Sequence, residues 1–265
     1  MADIREERVT CAEVALPGGE VCFQITLQAP RANALEPQVL GDLHAALDAL
    51  QQSGATKALL RTAGRNFSSG GDVAGFYRAA QEGRADVYAD QVVPVLQDLV
   101  MRIIDMPVLF AAAIRGATTG GSAGLIFASD LVIAAPDAFL QPYYGVMGFA
   151  PDGGWTAVLP ELIGAGPAQG WLHANLRHEA DQLLALGLVQ AVDDAAEDRA
   201  LALLDGTDAG TALATKTMIW TAERRARVRA GLDAETAAFR RLITRQQTLA
   251  RMTSFLTPEK GTRDV

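Results

Sequence analysis

Apolar residues along this chain form short runs in its first three quarters and fall at helical spacing in the last. Val21, Phe23, Ile25 and Leu27 alternate with Cys22, Gln24 and Thr26, and the turn Pro17-Gly18-Gly19-Glu20 precedes them, so residues 9–27 read as a β-hairpin. Val39, Leu43, Leu47 and Leu50 share one helical face and predict a helix next. The runs "ALLRTA", "VLFAAAI" and "LVIAA" predict buried core strands. A helix is expected over Val87 to Ile104, started or kinked by Pro94. Helical pieces are expected from Trp155 to Leu176, and "LLALGLVQAV" reads as a helix, a Gly187 stop and a short strand. Beyond about Ala195 strand signals cease, which divides the chain into an α/β core over residues 1–194 and a helical region over 195–265. The arginines of that region read as a solvated helix face.

Composition narrows what such a chain does. Hydrophobic residues make up 49% and charged residues 20%, enough apolar material for a large core. A net charge of −8 argues against a nucleic-acid-binding face, yet a few local cations and helix N-termini suffice for a small anion. Cys11 and Cys22 are the only cysteines and read as buried strand residues, not as a disulfide or metal site. The three histidines are dispersed, so no metal is expected. No GxGxxG follows a strand, so neither a nicotinamide nor a flavin is indicated. No apolar run approaches a membrane span and the first ten residues hold none at all, so a cytoplasmic protein without membrane partners is expected.

Two glycine loops stand between expected strands and helices: Ser68-Ser69-Gly70-Gly71-Asp72 and Gly120-Gly121-Ser122. Glycine leaves backbone N–H groups bare, and two such donors aimed at one point hold a developing oxyanion. The plainer alternative is that both glycine pairs merely permit tight turns. Gly120 to Gly124 also matches G-x-S-x-G, in which Ser122 would be a nucleophile served by Asp130 or Asp152 and by His173 or His178. However, Arg115 to Thr119 separate Ser122 from the strand, and both histidines fall in a polar stretch read as helical. Ser122 is therefore disfavoured as a nucleophile.

"GRNFSSGGDV", "AAIRGATTGGSAGLIFASDLVIA" and "GVMGFAPDGGW", in this order, resemble the enoyl-CoA hydratase/isomerase family of the crotonase superfamily. "APRANALEPQVLGDL", "ADQLLALGLVQAV" and "MTSFLTPEKG" extend the resemblance over nearly the whole chain. It implies an α/β fold, a spiral of ββα units with a helical C-terminal region that assembles trimers, often paired as hexamers. It implies acyl-CoA thioesters as ligands, with no separate cofactor because CoA belongs to the substrate. By motif, the oxyanion donors fall on the N–H groups of Gly71 and Gly121. Arg31, Ala32 and Asn33 match the loop around the CoA nucleotide, and Asp72 and Val73 match the stretch that touches adenine. Phe76, Tyr143, Tyr144, Phe149 and Trp155 are candidates for the substrate pocket, with Tyr143 and Tyr144 open between packing and acid/base roles.

Within this family, hydratases carry two glutamates, and the matching positions here are Gly124 and Tyr144. A standard hydratase is therefore disfavoured. Asp152 matches the position at which several double-bond isomerases carry an aspartate, and apolar neighbours raise a carboxyl pKa into the range of a proton shuttle. The expected activity is thus enoyl-CoA isomerisation through an enolate, with Asp152 catalytic. Three alternatives remain. Asp152 caps a helix beginning near Trp155. It acts as a nucleophile, as in the family's aryl-CoA dehalogenases or hydrolases, although no histidine lies between His44 and His173 to activate water. Or the chain binds CoA without catalysis.

Overall fold

A computed structural model describes residues 7–257. Strands β1 (Val9–Ala15) and β2 (Val21–Leu27) form the expected hairpin, followed by the helix Pro37–Ser53. Strands β3 (Lys57–Thr62), β4 (Leu109–Ile114), β5 (Ala117–Thr119), β6 (Leu131–Ala134), β7 (Phe139–Gln141), β8 (His178–Glu179) and β9 (Ala191–Val192) complete the set. The larger sheet runs β1-β2-β3-β4-β6-β9, antiparallel only between β1 and β2. Both faces of its centre are covered, which is why β4 reads as an unbroken apolar run with every residue buried. Ala58, Leu60, Phe110 and Ala112 face the main core, while Leu59, Leu109, Ala111 and Ala113 face the other way. There Ala196, Ala200 and Leu204, one stripe of the helix Ala196–Asp205, close the second face.

A smaller sheet, β5-β7-β8, stands beside the first, and isolated parallel bridges Leu35↔Gly71 and Ser68↔Thr118 extend it. The chain therefore repeats one step: a long strand in the first sheet, a short pairing in the second, then a helix. β3 leads to Ser68 and the helix Val73–Gln81, and β4 leads through β5 to the helix Ala123–Phe127. This is the ββα spiral.

Several local expectations need correction. Cys11 is exposed, because β1 is an edge strand whose central residues face solvent; Cys22 is buried as expected. The stretch Val87 to Ile104 is two helices, Ala85–Asp90 and Val93–Asp105, with Pro94 in the first turn of the second, where its missing N–H does no harm. His178 lies in β8, its ring 4.2 Å from that of Trp171, and not in a helix. The C-terminal arginines are more than a solvated face. On the helix Ala222–Ile243, Arg224 pairs with Glu161, Arg225 with Asp105 and Arg229 with Asp98, fastening it to neighbouring elements. The last helix, Gln246–Leu256, ends within the described residues, and the Pro258-Glu259-Lys260-Gly261 part of the sequence motif lies outside them. Among the described residues no helix is long and apolar enough to cross a membrane.

One buried cation pins the helix Ala209–Ile219 to the sheet. Lys216 donates to the carbonyls of Ile103 and Val108 and to Asp130, each at 2.8–2.9 Å. Burial pulls its pKa below the usual lysine value, and Asp130 opposes that shift. Lys216→Met should lower the unfolding free energy by about 3 kcal/mol, because it strands a buried carboxylate; a urea titration measures the loss.

Candidate active site

The parallel bridge between Ser68 and Thr118 sets the geometry of the site. Gly71 and Gly121 each stand three residues beyond their bridging partner, so the two glycine turns leave the small sheet side by side. A Cβ added to Gly70 would lie 2.5 Å from the Thr119 carbonyl oxygen, which shows how closely the turns pack. Among the described residues neither the Gly71 N–H nor the Gly121 N–H donates to a protein acceptor. Both glycines line one cavity of about 290 Å³.

Its walls are apolar. Phe76, Phe149 and Phe239 pack on one another at ring separations of 5.2–5.6 Å and close one side. Val73, Tyr143 and Tyr144 line it, and Phe255 from the last helix reaches it while remaining half exposed. Trp155 does not line it. Its indole is fully buried behind the wall, stacked edge-on against Phe127 and Trp171, and its Nε1–H donates to the Gly120 carbonyl at 2.7 Å. Trp155 therefore braces the second glycine turn from beneath.

Among the described residues, Asp152 is the one charged residue in that lining. It is 7% exposed, and its Oδ1 and Oδ2 would lie 2.8 and 3.1 Å from a Cβ on Gly121. Tyr144 Oη donates to Asp152 Oδ1 at 2.5 Å, while Oδ2 accepts from no described residue. Burial pushes the Asp152 carboxyl up to about 7; the Tyr144 hydrogen bond pulls it down and the charge of Glu235 adds to the rise. Burial, reinforced by the charge of Asp152, carries the Tyr144 phenol well above its usual value, so it stays a donor. Asp152 does not cap a helix. The Gly154 N–H that a cap would engage goes to Glu235 at 2.9 Å, and the next helix starts only at Leu159.

Ser122 is buried with its hydroxyl donated to the Thr119 carbonyl at 2.7 Å, within its own turn. Gly124, where a hydratase glutamate would stand, has no room for a side chain: a Cβ there would overlap the carbonyl oxygen of Gly153.

Arg31, Ala32 and Asn33 have φ of 54°, 54° and 56°, three consecutive left-handed residues, each costing about 1–2 kcal/mol. Bonds to the first glycine loop hold them: the Ser69 N–H reaches the Ala32 carbonyl, Ser69 Oγ the Arg31 carbonyl and Ser68 Oγ the Asn33 carbonyl, at 2.7–2.9 Å. Asn33 points inward, donating to Thr62 Oγ1 and the Phe67 carbonyl, so its side chain builds the loop. Arg31 is half exposed and bridges Glu36 and the buried Asp72, the latter at 3.2 Å. Ala32 and Asn33 border a separate depression with Gly64, Arg65 and Asn66.

Sequence reading passed over Glu235. It is 3% exposed on an arginine-rich helix, and a signal was present: Val228, Leu232, Glu235, Phe239 and Ile243 fall on one buried stripe, where a charge needs partners.

The raised Asp152 pKa has a consequence for stability. Its folded value, about 7, exceeds the ordinary 3.8, so the stabilising contribution is complete below about pH 4 and is lost as pH rises through 7. Asp152→Asn should therefore raise the melting temperature at pH 8 and leave it nearly unchanged at pH 4, as differential scanning calorimetry would record.

Known proteins share this architecture. The family model described as enoyl-CoA hydratase/isomerase matches residues 19–262. YhaR of Bacillus subtilis, whose name places it among enoyl-CoA hydratases/isomerases, is 30% identical over 63% of this chain. That match spans 64% of YhaR's own length. The crystal structure of an enoyl-CoA hydratase from Bacillus halodurans superposes with a TM-score of 0.82 at 23% identity, covering 92% of this chain and 99% of that one. An enoyl-CoA hydratase/isomerase from Mycobacterium paratuberculosis gives 0.82 at 22% identity, covering 95% and 100%. At such identities the structures establish a common fold, while the family model covers nearly all of the sequence. The chain belongs to the enoyl-CoA hydratase/isomerase family and has the crotonase fold.

Proposed function

We propose that the protein moves a double bond in an unsaturated acyl-CoA thioester, with Asp152 as the single proton carrier. The main support is one buried carboxylate, its pKa near neutrality, lying over Gly121 in a cavity where two peptide amides have no acceptor. A thioester oxygen between the Gly71 and Gly121 N–H groups would meet two fixed donors as negative charge builds on it. Asp152 takes the α-proton on Oδ2, and the C–H electron pair passes into a dienolate held by both amides. The proton then returns from Asp152 to the γ-carbon, the double bond shifts from β,γ to α,β, and the carboxylate is regenerated. Tyr144 keeps Oδ1 engaged, so the same oxygen serves both transfers. In this reading Arg31, Ala32, Asn33, Asp72 and Val73 flank the CoA moiety.

Hydration is disfavoured by steric fit as well as by composition. Water addition uses a second proton carrier, and Gly124 offers neither a carboxylate nor space for one beside Gly153. Gly124→Glu should accordingly fail to introduce hydratase activity.

Asp152→Asn should slow α-proton exchange at least about a hundredfold while acyl-CoA binding persists, measured by deuterium uptake and by calorimetric titration. In the wild type, exchange should rise with pH through a midpoint near 7, where the base loses its proton. Unchanged exchange in the variant would remove Asp152 from the reaction. Thioester binding with no deuterium uptake by the wild type would make the chain a non-catalytic binder. The apolar walls should also favour hydrocarbon acyl groups over chains ending in a carboxylate by about tenfold or more in kcat/KM.

A further inference from the structure

Behind the candidate base lies a second buried acid that the reaction above does not use. Glu235 gathers three donors: the Gly154 N–H on Oε2 at 2.9 Å, and the Thr156 N–H and Thr156 Oγ1 on Oε1, both at 2.7 Å. All belong to the segment immediately after Asp152. On its other side that segment is pressed against the second glycine turn, since a Cβ on Gly153 would overlap the Gly121 carbonyl oxygen. The helix carrying Glu235 is itself anchored to the floor of the site. Gln97 donates to the Leu232 carbonyl at 2.5 Å and accepts from Thr236 Oγ1 at 2.6 Å. Leu96, its neighbour, would lie 2.7 Å from a Cβ on Gly121.

We propose that Glu235 is a positioning residue for Asp152: it grips the backbone that follows the aspartate and sets a fixed negative charge behind it. This rests on the reading of Asp152 as the base. Burial raises the Glu235 carboxyl above its usual value and its donors oppose that rise; while ionised, it disfavours a second negative charge nearby. The other polar groups around Asp152 do not supply such a charge. Tyr144, from the helix Tyr144–Met147, is a neutral donor. Leu96 from the helix Val93–Asp105 is apolar, and the residues 120–124 beside the aspartate carry no charged side chain. Arg245, which precedes the last helix, and Arg251 within it are engaged with the carbonyls of Gly148 and Gly145. Glu235 thus acts on the reaction through Asp152 and touches neither the cavity nor its ligand.

The test is the ionisation midpoint of Asp152, followed by aspartate 13C-carboxyl NMR and assigned by the resonance missing in Asp152→Asn. Glu235→Gln removes the charge, and the midpoint should fall by about one pH unit or more. The acid limb of the exchange rate should move with it, and kcat should drop with KM nearly unchanged. Thr156→Val is the milder variant: it removes the Oγ1 donor that opposes the burial of Glu235 and so favours the neutral form of that acid. There the midpoint should fall too, by less than in Glu235→Gln. A merely structural glutamate would alter melting temperature in both variants and leave the midpoint in place, and that result would overturn the proposal. If Glu235→Gln does not fold, an unmoved midpoint in Thr156→Val alone overturns it. The resonance is read without turnover, so failure here is distinct from failure of Asp152 as the base, which would appear as surviving exchange in Asp152→Asn.

Discussion

Three backbone segments meet in this molecule with almost no side chain between them, and the site follows from that contact. Gly70 lies against Thr119, Gly121 against the carboxylate of Asp152, and Gly124 against Gly153. Close-packed interiors tolerate little added volume, so each of these positions is restricted to hydrogen. The restriction brings two amides to one cavity and sets a carboxylate beside one of them. It also closes the space in which a second carboxylate would stand.

The electrostatics follow from burial on the same scale. An apolar cavity raises the proton affinity of any carboxyl it contains, and Asp152 has only a phenol to offset that rise. Glu235, equally buried, has two backbone amides and a hydroxyl, the kind of complete hydrogen bonding that makes a buried charge tolerable. Two acids close in space thus differ in their surroundings because their donors differ. One is left partly bare, facing the ligand space; the other is saturated, facing the backbone.

Much of this was legible in the sequence, with limits that have physical causes. The long strands β2, β3, β4 and β6 announce themselves because each contains enough consecutive residues for alternation or an apolar run to register. β5, β7 and β8 have three, three and two residues, too few for any period, and only pairing with one another defines them. The resemblance to a family placed Gly71, Gly121 and Asp152 on loops that the fold brings together. Residue type alone assigned Trp155 to the pocket, but an indole N–H seeks an acceptor when buried and found it on Gly120. Glu235 escaped notice because its partners lie about eighty positions away, and on an arginine-rich helix an acid suggests a surface ion pair.

The indole beneath the second glycine turn also gives the molecule a built-in optical reporter. Trp155 is hydrogen-bonded to the peptide that precedes Gly121 and packs against Trp171, with ring centres 5.1 Å apart. Trp220, the third and last tryptophan of the chain, sits elsewhere, stacked under the guanidinium of Arg224. Ultraviolet emission from this pair should therefore respond to polarisation of that peptide, so that filling the cavity would be followed by intrinsic fluorescence without attaching a dye.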